Sequence, residues 1–149
     1  MDSAEQLIKL ATEEANMSYQ RNIKKVFLGG NAEGCMVVLA AFMRYEGKMQ
    51  IGGILGLNGF QALDMNKEMR RSSLEAISTR MITQRKVPMM LIHGENNEKI
   101  KYKDARETYV YFQNLYASKP NNYMFFKEKE GTDTLSDEYL NHVRKWFVK

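Results

Sequence analysis

The 149 residues carry 44% hydrophobic and 27% charged side chains, enough for one domain with a real core. The net charge of +4 comes from scattered doublets, Lys24-Lys25, Arg70-Arg71 and Arg85-Lys86. No recognition motif accompanies them, so nucleic acid is not expected as a partner. No apolar run approaches the roughly 20 residues that span a bilayer, and the single cysteine, Cys35, excludes an internal disulfide.

The start, Met1-Asp2-Ser3-Ala4-Glu5-Gln6, is acidic, with no apolar signal core and no arginine-rich leader. Together with the lone cysteine it predicts an intracellular protein, cytoplasmic or cytoskeletal, with an organellar complex as the alternative. Asp2 or Ser3 caps a first helix, with Leu7, Ile8, Ala11 and Ala15 at helical spacing as far as Ser18. Ile23 to Gly29 reads as a buried strand. Ala32 to Tyr45 reads as a helix apolar nearly all round, closed by Gly47 and buried on several sides. A glycine-rich strand, Ile51 to Leu57, follows, with a turn at Asn58-Gly59.

Residues 62–84 are polar and rich in methionine and read as one or two short helices in a long excursion. Val87 to His93 is a third strand. Lys103 to Ala117 is a helix whose buried side is Tyr109, Phe112, Leu115 and Tyr116. Asn122 to Phe126 is a fourth strand. Ser136 caps a last helix with Tyr139, Leu140, Val143, Trp146 and Phe147 facing inward, and Asp137 and Glu138 suit its positive start. Strand and helix alternate without a linker, which predicts one α/β domain over residues 1–149, with about four parallel strands covered on both faces.

Four stretches carry chemistry. Val26-Phe27-Leu28-Gly29-Gly30-Asn31-Ala32-Glu33-Gly34-Cys35 places a glycine-bracketed turn between strand and helix. Ile54-Leu55-Gly56-Leu57-Asn58-Gly59-Phe60, Val87-Pro88-Met89-Met90-Leu91-Ile92-His93-Gly94 and Thr134-Leu135-Ser136-Asp137-Glu138 follow in order. In that order and spacing they resemble the acyl-protein thioesterase / carboxylesterase branch of the α/β hydrolases, whose nucleophile elbow reads G-x-S-x-G. The fold implied is the C-terminal half of an α/β hydrolase. The resemblance implies about four further strands ahead of the first helix, including a loop that donates an oxyanion-hole amide.

Carried over position by position, the family's nucleophile falls on Ala32, its acid on Asn97, and its histidine on Asp133, or on Thr132 if the register slips by one. None is of the required type. A triad needs a hydroxyl to attack, an imidazole to take its proton and a carboxylate to orient that imidazole. A substitution made to trap a complex accounts for one loss, not three. The expectation is a non-catalytic pseudo-hydrolase, kept as a structural or scaffolding subunit. Without the preceding strands, the edge at Ile23–Gly29 is open and is expected to be covered by a different protein rather than by a second copy.

Other candidates carry blander readings. Cys35 is a displaced nucleophile or, more often at such a place, a small buried apolar residue. His93 ends a strand and is expected to bond to local backbone, and His142 is expected at the surface. Two isolated histidines make no metal site, and no cofactor is expected. Glu33, Glu95 and Glu98 read as solvated loop charges. Gly29, Gly30 and Gly34 match no phosphate-binding spacing and are expected to supply positive φ and close packing at the turn. Two rival functions stay open: a thioesterase or carboxylesterase completed by a partner chain or by Cys35, and a module that keeps an acyl or lipid pocket without turnover.

Overall fold

The computed structural model describes residues 2–18, 20–46, 50–60, 82–134 and 136–148. Helix α1 (Ser3–Ser18) begins where the Asp2 carboxylate accepts the amides of Ala4 and Glu5, at 3.1 and 3.0 Å. The same carboxylate pairs with Arg44 at the far end of α2 (Glu33–Arg44). The Glu5 amide and then Arg44 hold Asp2 below the usual carboxylate range. Between the helices, α1 buries only Ala4, Ala11 and Ala15, so small side chains set a close approach.

Strand β1 spans Phe27–Asn31, later than the expected Ile23–Gly29. Residues Ile23–Lys25 form a 3₁₀ turn instead. Its cause is local: the Asn22 side chain accepts the Lys24 amide, and the Val26 amide closes back on Ile23. Asn competes for backbone in this way at turns. Ile23 is buried all the same. The other strands, β2 (Gly53–Leu57), β3 (Met89–Gly94) and β4 (Tyr123–Glu128), lie within two residues of expectation. All pairings are parallel, in the order β1-β2-β3-β4. Every residue of β3 is buried, as its central place requires.

Helices α1, α2 and α3 (Tyr102–Leu115) share one apolar core, in which α2 buries Cys35, Val38, Leu39, Ala41, Phe42 and Met43. Helix α4 (Asp137–Phe147) closes the other face through a smaller cluster of Leu57, Met90, Ile92 and Tyr139. Ser136 caps it by accepting the Tyr139 amide, as expected. Tyr109, Phe112, Leu115 and Tyr116 are buried as expected, with Tyr116 donating to the carbonyls of Gln84 and Val87.

Two expectations on α4 are corrected. Leu140 and Phe147 do not face inward; they are 55% and 52% exposed. The helix buries a narrower stripe: among the described residues β1 is the last strand on that side, and Phe147 meets it only through the half-exposed ring of Phe27. The expected cap at Gly47, and the excursion over 62–81, fall outside the described residues; residues 82–84 are helical. Among the described residues no helix is long and apolar enough to cross a membrane.

Candidate functional site

The four strands end in a row, and ligand sites in parallel sheets lie beyond the carboxyl ends of the strands. Ala32 follows β1, Asn58 follows β2, Asn97 follows β3, and Asp133 follows β4. At the first of these the chain turns sharply. Ala32 has φ 51° and ψ −117°, and its amide still pairs with the Leu57 carbonyl at 2.9 Å. Its own carbonyl accepts the amides of Cys35 and Met36, which starts α2. A side chain with a Cβ in this region stores of order 1–3 kcal/mol of strain.

The expected source of that positive φ is corrected. No glycine in the described chain has positive φ; the burden falls on Ala32. Gly30 serves the turn by its lack of a Cβ, since one there would meet the Gly34 carbonyl carbon and oxygen at 2.3 Å. Gly34 has open space around it.

Asn97 is 3% exposed, and its side-chain oxygen accepts the amides of Lys99 and Ile100, at 3.0 and 2.9 Å. That oxygen is committed to shaping its own loop. Asp133 pairs with Lys99, which holds the carboxyl below its usual range. The loops after β3 and β4 are therefore joined, with the Asn96 amide on the Gly131 carbonyl at 2.9 Å. None of residues 131–134 is a histidine.

Beyond the end of β2 lies Asn58, which sequence reading placed only as a turn. Asn58 is 1% exposed, has φ 51°, and its Oδ1 accepts both the Gly94 amide and the Tyr139 hydroxyl. Burial first, then the Glu128 carboxylate, pushes the Tyr139 phenol up. Asn58 Nδ2 and Glu128 Oε2 are buried without a partner. The only advance signal was the Asn-Gly pair, which marks a tight turn but not a polar hub.

His93 is fully buried, as a strand-end histidine satisfied by backbone: its Nε2 lies 2.8 Å from the Ile100 carbonyl. Since that carbonyl can only accept, Nε2 carries a proton. Its Nδ1 meets the Tyr109 hydroxyl, which also lies 2.8 Å from the Gly59 carbonyl. One phenolic proton thus serves two acceptors while the ring is neutral. Burial, opposed by the Ile100 carbonyl, pulls the His93 pKa below its ordinary 6.5. A depressed histidine binds protons more readily unfolded, so its contribution is intact above pH 6.5 and is lost as the pH falls below that. Urea titrations between pH 7.5 and 5 should show stability falling by no more than about 1.4 kcal/mol per unit from this group. His93→Gln should flatten that part of the profile; an unchanged slope refutes the assignment.

His142 is half-buried rather than on the open surface, stacked on Phe126 at 3.9 Å between ring centres and 3.6 Å from Glu138. Cys35 is 2% exposed, and burial pushes its thiol up to about 12, away from a reactive thiolate. Glu95 pairs with Lys127 at 3.0 Å, while Glu33 and Glu98 are exposed. Among the described residues no group of three metal-binding side chains converges. A groove of about 630 Å³ between α3 and β4, lined by Tyr116, Pro120, Tyr123 and Phe125 among others, includes none of Ala32, Asn97 and Asp133.

A family model described as Phospholipase/Carboxylesterase matches residues 1–145. The chain belongs to the phospholipase/carboxylesterase family. Solved structures agree on the fold. Arabidopsis thaliana SOBER1 is 16% identical with a TM-score of 0.67, the match covering 99% of this chain and 65% of that one. Zea mays acyl-protein thioesterase 2 is 20% identical with a TM-score of 0.64, covering 99% and 66%. The chain thus spans just under two thirds of these relatives. A search of curated proteins returned no match. The four parallel strands and their helices form part of an α/β-hydrolase fold, and Ala32 stands at the turn from β1 into α2.

Proposed function

We propose that this member of the phospholipase/carboxylesterase family is catalytically silent and serves as a structural subunit of a larger protein assembly. The observation that carries the reading is Ala32: the elbow keeps its strained conformation, yet presents only a methyl group. Three further facts support it. The Asn97 side-chain oxygen is taken by two backbone amides, and Asp133 by Lys99. His93 is sealed between Ile100 and Tyr109, and His142 lies against Phe126. The Cys35 thiol is buried, and burial pushes its pKa up to about 12. The assembly partner is a protein that covers the open edge of the sheet.

Ala32→Ser tests the reading, because it returns a hydroxyl without an imidazole to activate it. Wild type and Ala32→Ser should both hydrolyse p-nitrophenyl butyrate and an acyl thioester at the buffer rate, and neither should take a fluorophosphonate label. Turnover in the wild type that is abolished by alkylating Cys35, or labelling of Ser introduced at 32, would sink it.

A further inference from the structure

The groove between α3 and β4 has a volume of about 630 Å³, within the roughly 300–1,000 Å³ typical of small-molecule sites. Its floor is aromatic and fixed from beneath. Tyr116 stacks on Tyr123 at 5.5 Å between ring centres, and Tyr109 on Phe125 at 4.3 Å. The three phenols donate to the protein's own carbonyls, Tyr109 to Gly59, Tyr116 to Gln84 and Val87, and Tyr123 to Tyr109. Tyr123 and Phe125 are half-buried and form the accessible part of this floor. Gln113 and Asn114 of α3 supply a wall; both are exposed. Their side-chain amides have no partner among the described residues, so each offers donors and an acceptor to an occupant.

A second, independent feature adjoins the groove. The turn Ser118-Lys119 runs between two lining residues, Ala117 and Pro120. Arg85 reaches this turn, with Nη1 3.5 Å from the Ser118 hydroxyl, and its carbonyl accepts the Asn122 side-chain amide at 2.9 Å. The Arg85 Nε is buried without a partner, an unmet donor on a charged group. Lys86 and Lys119 are exposed. Among the described residues no carboxylate pairs with any of these three cations, whereas Lys99 and Lys127, beyond the carboxyl ends of the strands, each hold one.

An uncharged aromatic floor, two amide side chains and an uncompensated cationic rim ask three things of one ligand. It needs a flat face, hydrogen-bonding groups at a ring edge, and an anion that accepts several N–H donors. Phosphate suits the rim, because guanidinium and ammonium groups donate to its oxygens in charge-assisted bonds. A nucleobase suits the floor by stacking and the amides by its polar edge. We infer that the α3–β4 groove is a binding site for a nucleoside monophosphate, with its base against Tyr123, its polar edge at Gln113 and Asn114, and its phosphate at Arg85, Ser118 and Lys119. None of Ala32, Asn97 and Asp133 lines this groove, so the inference stands or falls apart from the silent elbow.

Adenosine and uridine monophosphates, a purine and a pyrimidine, are the probes, titrated calorimetrically into the wild-type chain. At least one should bind saturably with a Kd below about 1 mM. The unphosphorylated nucleoside, ribose 5-phosphate and inorganic phosphate should each bind about tenfold more weakly or worse, since each lacks one of the three contacts. Arg85→Gln should weaken binding about tenfold, and Lys119→Gln and Gln113→Ala about fivefold each. The last two alter exposed side chains, so circular dichroism should be unchanged; they decide if Arg85→Gln misfolds. Amide resonances of residues 113–123 should shift on binding, and those of residues 33–36 should not. Equal affinity for inorganic phosphate would mean an adventitious ion only and would overturn the inference. Equal affinity for ribose 5-phosphate, shifts confined to the elbow, binding indifferent to both Lys119→Gln and Gln113→Ala, or no saturable binding of either nucleotide would overturn it as well.

Discussion

Gly30→Ala should destabilise the protein by about 3 kcal/mol or more, while Gly34→Ala, four residues away in the same turn, should stabilise it by about 0.5–1 kcal/mol. The two glycines look equivalent in the sequence. Their surroundings are opposite. A Cβ on Gly30 would lie 2.3 Å from the Gly34 carbonyl and 2.6 Å from the Cys35 amide nitrogen. These are backbone atoms of the first turn of α2, so relief requires moving the helix off the sheet. A Cβ on Gly34 meets nothing within 4 Å. Gly34 is the second residue of α2 and has ordinary negative φ, so alanine there gains helix propensity and reduces the freedom of the unfolded chain. Urea denaturation of both variants checks the pair. Equal effects would mean that the elbow does not hold β1 and α2 at the spacing described.

Asn58→Ala should cost about 2–4 kcal/mol, although it removes only a small polar side chain. Asn58 Oδ1 is the acceptor for the buried Gly94 amide, at 3.0 Å, and for the Tyr139 hydroxyl, at 2.9 Å. Without it the Gly94 amide has no partner, whereas Tyr139 can turn toward the neighbouring Glu128 carboxylate. Alanine is also less tolerant than asparagine of φ 51°. Asn58→Gly separates the two causes, since it accepts the backbone angle and loses only the acceptor; it should fall between wild type and Asn58→Ala. Tyr139→Phe should cost about 1 kcal/mol, because Asn58 keeps the Gly94 amide. A midpoint for Asn58→Ala within error of the wild type would remove Asn58 from the centre of this cluster.

The order of elements was legible because each rests on local chemistry. The caps at Asp2 and Ser136, the near-continuous apolar run of β3 and the all-round apolar α2 are signals confined to a few neighbouring residues. The Asn22 turn was misread as strand because a side chain outcompeted β propensity over three residues. The residue types at the β1–α2 turn and in the loops after β3 and β4 were equally legible, since they are a matter of identity at Ala32, Asn97 and residues 131–134. What holds Asn97 and Asp133 in place was not. Lys99 on Asp133 and two amides on Asn97 depend on how the loops after β3 and β4 come together.

By itself, then, the sequence determined the alternation that yields a parallel α/β sheet, its family, and the absence of serine and histidine at the elbow and its neighbouring loop. Only the tertiary structure decided where the strain sits, what Asn58 does and which apolar residues stay uncovered. Positive φ at Ala32 follows from β1 and α2 being packed at a fixed spacing while Gly30 fills the tight contact. Asn58 joins residues 36 and 81 positions away, a separation that no local pattern encodes. Leu140 and Phe147 have helical spacing suited to burial, but spacing fixes only their direction around the helix axis. Whether that direction meets a core or water is set by where the sheet ends, and among the described residues it ends at β1.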